Sequence, residues 1–156
     1  MKKALIVYYS QTGNTESMAK KIYDFLKEEK VETDLKKAED VEASNLIKYD
    51  AIIIGSPTYY GSMAWQVKKL IDESICLHGK LKGKIGAAFS SAANIAGGNE
   101  TTIEDILNAM LIHGMIIQGE PTGDHYGPVA IGSPDARSEK CCQRMAKNVA
   151  ELLKKL

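Results

Sequence analysis

The sequence has no apolar run near the ~18 residues a membrane-spanning helix needs, and Ala4–Tyr9, behind the basic Met1-Lys2-Lys3, is too short for a secretion signal. It has no charge bias either: 20 Lys plus Arg stand against 20 Asp plus Glu. A neutral balance argues against nucleic-acid binding, which leaves a basic footprint. Cysteine is scarce, with three residues and no C-x-x-C, and His78, His113 and His125 are scattered, so no metal site is expected. Cys141 and Cys142 are read as reduced, structural thiols. These absences together point to a cytoplasmic protein that acts neither on membranes nor on nucleic acid.

The 156 residues suffice for one domain spanning residues 1–156 with its own core. Ala4–Tyr8 and Ala51–Ile54 are continuous apolar runs, the mark of strands buried on both faces. Val31–Leu35 alternates as a more exposed strand, and Ile85–Phe89 and Met115–Ile117 complete a set of five. Between them, Met18, Ile22, Phe25 and Leu26 mark one helical face. Val67, Leu70, Ile71 and Ser74 outline a second helix, and Ile103, Ile106, Leu107, Met110 and Leu111 a third. Cys142, Met145, Val149, Leu152, Leu153 and Leu156 define an inward face on the last; Trp65 and the methionines are read as packing. Regular alternation of strand and helix predicts an α/β, three-layer doubly wound domain with a five-stranded parallel sheet of order 2-1-3-4-5. Residues 119–135, with four Gly and three of the four Pro, are long for a plain connection.

Ligands of such sheets sit beyond the carboxyl ends of the strands. The loop after the first strand is Ser10-Gln11-Thr12-Gly13-Asn14-Thr15, hydroxyl-rich, without Lys or Arg, and leading into a helix N-terminus. That suits a terminal monophosphate met by neutral donors and backbone N–H groups. Pro57-Thr58-Tyr59-Tyr60-Gly61-Ser62 places two aromatics beside a glycine, fit for contact with a flat ring. Ser90 through Gly98 is small and glycine-rich, so a broad ligand can lie close to its main chain. Other chemistries lack their residues. No G-x-x-x-x-G-K-[ST] precedes a helix, no G-x-G-x-x-G follows the first strand, and G-x-S-x-G is missing. The strand ends lack the acidic residues of receiver domains, and the first loop lacks the nucleophilic Cys of small phosphatases.

With those residues in view, the chain resembles the flavodoxin-like FMN proteins over nearly its whole length. Ser10–Thr15 is similar to their [ST]-x-T-G-x-T phosphate loop. Gly55-Ser56-Pro57-Thr58-Tyr59-Tyr60-Gly61-Ser62-Met63 resembles the G-T-P-T-x-x-G-x-M segment of WrbA-type NAD(P)H:quinone oxidoreductases. Phe89-Ser90-Ser91 with Gly97-Gly98-Asn99-Glu100, His113-Gly114-Met115 and Tyr126-Gly127 are similar to that group as well.

The resemblance implies FMN, its phosphate on Ser10, Gln11, Thr12, Gly13, Asn14 and Thr15. Its ring would be framed by Pro57, Thr58, Tyr59, Tyr60 and Gly61 and by Ser90, Ser91, Ala92, Asn94, Gly97 and Gly98. It further implies ping-pong hydride transfer from NADH or NADPH to a quinone, in a homo-oligomer whose sites form between subunits. His113 would donate to substrate there, and Tyr126 would contact the site from a neighbour. The alternative is a flavodoxin proper, a one-electron carrier working with a redox partner protein. The first three loops carry no Asp or Glu, whereas shuttles are usually acidic around the flavin. A third reading is a flavin-binding module assembled with another redox subunit.

Overall fold

Apolar continuity explains the centre of the sheet. In a computed structural model describing residues 2–156, the first apolar run becomes β1 (Lys3–Tyr8) and the second β3 (Ala51–Pro57). They lie side by side, with β2 (Glu32–Lys37) at one edge and β4 (Ile85–Ala92) beyond β3. Two short strands, β5 (Ile116–Ile117) and β6 (Val129–Ile131), both pair with β4. Every pairing between these strands is parallel, and the order β2-β1-β3-β4-β5 is the expected one.

Among the described residues, α1 (Asn14–Glu28), α2 (Trp65–Glu73) and α3 (Asn99–Ile112) lie between strands, and α4 (Ala136–Lys155) follows the last one. Successive strand side chains point to opposite faces, which divides the core in two. Ile6, Ile53, Ile85 and Phe89 pack with Met18, Ile22 and Leu26 of α1 and Met145, Val149 and Leu153 of α4. Leu5, Val7, Ile52 and Ile54 pack with Val67 and Leu70 of α2 and Ile103, Ile106 and Met110 of α3. The last helix opens with a reciprocal cap: the Asp135 carboxylate accepts from the Ser138 N–H, and the Ser138 hydroxyl accepts from the Asp135 N–H.

Several boundaries differ from the sequence expectation. The fifth strand is not one run through Met115–Ile117; it is split, and residues 118–128 leave the sheet between its halves. Pro121 and Pro128 offer no N–H for a ladder there. The excursion is instead pinned by side chains. Asp124 accepts from the Val129 N–H at 2.9 Å and from Arg137 at 2.8 Å, Asn148 donates to Glu120, and Arg144 donates to the Thr122 carbonyl. Strand β4 runs past Phe89 to Ala92, and Ser74 lies in a 3-10 turn beyond α2. Trp65, 67% exposed at the start of α2, is no packing residue, and Leu111 and Leu156 also face solvent.

Candidate functional site

The strand order reverses between β1 and β3, so the crevice of the fold opens above their carboxyl ends. All three loops converge there. In the first, the Gly13 N–H donates to Ser10 Oγ at 3.1 Å, and α1 starts at Asn14 without a side-chain cap. Its first-turn N–H groups are therefore not claimed by a capping side chain. Gln11, Thr12 and Gly13 are exposed. The nearest charge, Glu16, is paired with Lys20 at 2.6 Å, and that contact holds its carboxyl below the usual range. An uncapped helix end ringed by hydroxyls, its one first-turn carboxylate paired with Lys20, fits a phosphate ester.

Thr15 and Asn14 behave differently from the other loop residues. Thr15 is 1% exposed, and its hydroxyl turns inward to lie 2.7 Å from Ser91 Oγ. Its backbone N–H stands in the first turn of α1. Asn14 Oδ1 accepts from Ser133 at 3.2 Å.

The second loop is a two-residue hairpin. Tyr59 and Ser62 exchange backbone hydrogen bonds of 2.9 and 3.1 Å, and Tyr60 and Gly61 at the tip have φ of 50° and 75°. Two positive φ values at the centre are what a type I′ turn requires. Tyr60 projects fully into solvent, whereas the Tyr59 hydroxyl donates to Gln11 Oε1 at 3.0 Å and so ties this loop to the first. The Tyr59 ring meets Tyr9 edge-on at 6.4 Å; burial, with Tyr9 adding to it, raises its phenol pKa.

Ser90, Ser91 and Ala92, expected in the third loop, belong to β4 and are buried. Polar side chains end a strand there because each finds a hydroxyl partner: Ser90 faces Thr58 at 3.0 Å and Ser91 faces Thr15. The loop itself is residues 93–98, a turn in which the Gly97 N–H donates to Asn94 O, with Ile95 82% exposed. Gly98 backs onto the second loop so closely that a Cβ there would lie 2.6 Å from Gly61 Cα. Pro57 ends β3 beneath, half-buried.

Beyond the third loop, a groove of about 700 Å³ separates Ile95 and Ala96 from Tyr126 and Ile131. Tyr126 thus stands beside the site of its own chain, half exposed. Glu100, Asp124 and Asp135 line the groove against one cation, Arg137.

His113 is not brought to these loops within one chain. It caps the far end of α3, whose 14 residues carry it about 21 Å from the third loop to the opposite end of the sheet. There its Nε2 lies 2.8 Å from Ser74 Oγ, its ring is 6.3 Å from His78, and its Nδ1 is buried without a partner. Burial, reinforced by His78, lowers its pKa. Among the described residues, no three metal-ligating side chains cluster, and no helix is long and apolar enough to cross a membrane.

Sequence reasoning missed Thr101 and Ser133. Thr101 Oγ1 lies 2.5 Å from Gly61 O and 2.9 Å from Gly98 O. Its signal was its place in the first turn of the helix that follows a glycine pair; Ser133 gave none, because its contact with Asn14 crosses almost the whole chain.

Comparison with known proteins agrees with this geometry. The sequence profile of the family described as Flavodoxin matches residues 6–92. A flavodoxin of Aquifex aeolicus (strain VF5) is 33% identical over 97% of this chain and 86% of its own. An NAD(P)H dehydrogenase (quinone) of Archaeoglobus fulgidus is 32% identical over the whole of both chains. Among solved structures, a flavodoxin, WrbA-like protein from Agrobacterium tumefaciens superposes with a TM-score of 0.83 over 99% of each chain; at 23% identity it bears on the fold alone. The order of strands, the uncapped helix above β1 and these kinships agree, and the chain belongs to the flavodoxin family, whose members bind FMN.

Proposed function

We propose that the protein is an FMN-dependent oxidoreductase that takes two electrons from NADH or NADPH and gives them to a quinone. Bound FMN supplies a ring that accepts and releases those electrons; the protein binds, orients and shields it. Ser10, Thr12 and Asn14 would hold the phosphate with side chains, and Gln11, Gly13 and Thr15 with N–H groups. Thr58, Tyr59, Tyr60 and Gly61 would form one wall for the ring and Ala92, Asn94, Gly97 and Gly98 the other, with Tyr126 beyond. In a homo-oligomer, His113 would serve a site only from another subunit.

The observation that carries this reading is the absence of charged side chains from residues 10–15, 57–62 and 93–98, next to an open groove of about 700 Å³. A neutral mouth with room beside it suits a small flat reactant better than steering of a charged protein partner. The relative from Archaeoglobus fulgidus supports the same activity.

A second reading, a one-electron carrier serving a basic redox partner protein, is favoured by Glu100, Asp124 and Asp135 on the groove and by the flavodoxin relative. Anaerobic stopped-flow mixing of the FMN-loaded protein with NADH or NADPH separates the two. Rapid bleaching of the flavin band, reversed by benzoquinone, is expected. No bleaching over minutes, with reduction only by dithionite, would reject the quinone reductase in favour of the carrier.

A further inference from the structure

We infer that Ser91 is a positioning residue that sets the span between the phosphate loop and the two ring loops, an inference that rests on the FMN reading above. Ser91 bonds to both other loops. Its hydroxyl reaches Thr15 in the first turn of α1 at 2.7 Å, and its carbonyl accepts the Thr58 N–H at 2.8 Å, where the second loop leaves β3. Ser91 itself sits one residue from the end of β4, at the head of the third loop. It is 5% exposed, so it braces the site from below without facing a ligand.

The Thr15 bond is the adjustable one of the two. Ser91 and Thr58 are joined through backbone, as neighbours in a sheet; α1 and β4 are joined near the site through this pair of side chains. Removing the Ser91 hydroxyl orphans a buried Thr15 hydroxyl, which must then move to find a partner. The first turn of α1 moves with it, and the N–H groups it offers to a phosphate move relative to the ring loops.

FMN is in effect a two-headed ligand, a phosphate joined to a flat ring by a chain of fixed reach. Its affinity exceeds that of either head because both subsites are held at a matching separation. Loss of registration should weaken the joined ligand while leaving each head its own subsite. An ordinary structural role would weaken all of them together.

The test is the binding of FMN, riboflavin and inorganic phosphate to wild type and Ser91→Ala, by flavin fluorescence quenching and by phosphate competition. Ser91→Ala is expected to raise the Kd for FMN about tenfold and to leave riboflavin and phosphate within about twofold. In Thr15→Val, further substitution of Ser91 should have no added effect. Ser91→Cys, close in size but a poor donor, should reproduce the pattern if the alanine variant folds badly. Equal weakening of riboflavin and FMN, unchanged FMN binding, or additive effects with Thr15→Val would each overturn the inference. A wild type that binds no FMN would overturn the cofactor reading and this one with it, whereas unchanged affinity in both Ser91 variants overturns this one alone.

Discussion

The Thr101 hydroxyl lies 2.5 Å from the carbonyl oxygen of Gly61, so the first turn of α3 grips the tip of the second loop. That contact lies on the ring side of the site, away from the phosphate loop. Thr101→Val keeps the shape and removes the grip. One lost hydrogen bond corresponds to about 1 kcal/mol, or roughly fivefold in affinity. Riboflavin and FMN should weaken by the same factor, measured by fluorescence titration, in contrast to the selective loss expected at Ser91. Unchanged binding of both would show that the tip needs no such hold.

Gly98 should tolerate no side chain. Its φ is +100°, where L residues are strained, and an added Cβ would press on the Gly61 backbone at 2.6 Å. Gly98→Ala should cost about 1–3 kcal/mol of stability, read as a lowered midpoint in urea, and should reduce flavin binding further by parting the two loops. A midpoint equal to wild type would mean that the loops separate freely.

Acid should destabilise the far end of the molecule before its carboxylates titrate. Burial and the neighbouring His78 lower the pKa of His113 in the folded protein. Below about pH 6.5 the unfolded chain therefore takes up a proton that the folded one refuses. The stability contributed is present above that pH and lost as the pH falls through it. Urea midpoints should fall between pH 7.5 and 5.5, and His113→Gln should flatten part of the slope. An identical slope in the variant would remove His113 from the account.

Asp124 should govern the mobility of residues 118–128 and little else. It joins the Val129 N–H to Arg137 at the return to the sheet. In Asp124→Ala, amide exchange at Tyr126 and Val129 should speed up roughly fivefold, as expected for about 1 kcal/mol of local stabilisation lost. Exchange in β1 and β3 should not change. Acceleration throughout the sheet would show that the excursion is part of the global fold.

Strands β1 and β3 were legible in the sequence because burial on both faces leaves an unbroken apolar run. The end of β4 was not, since Ser90 and Ser91 read as loop and are made buriable only by Thr58 and Thr15, far away in the chain. The split of the fifth strand was half visible: Met115–Ile117 announced the first piece, while Val129–Ile131 lay hidden among glycines and prolines. His113 stands away from the loops of its own chain for a reason that topology already carries. A helix that follows a parallel strand must return to the amino end of the sheet, so its last residue cannot share a mouth with its first. The turn from β1 into α1 was legible because Ser10–Thr15 is local, set between an apolar run and the first helical face.

The two margins of the sheet resist further strands by different means. Strand β2 carries Glu32, Asp34, Lys36 and Lys37, two of them engaged by Lys3. The opposite margin is cut into pieces of two and three residues, with Pro128 directly ahead of the second. Charge discourages a ladder on the first margin, and short, interrupted strands discourage one on the second. Helices and loops are the readier meeting ground for copies that associate, for there Leu111, Ile112, Trp65 and Tyr60 stand uncovered. Such contacts can part and re-form without any strand having to change partners.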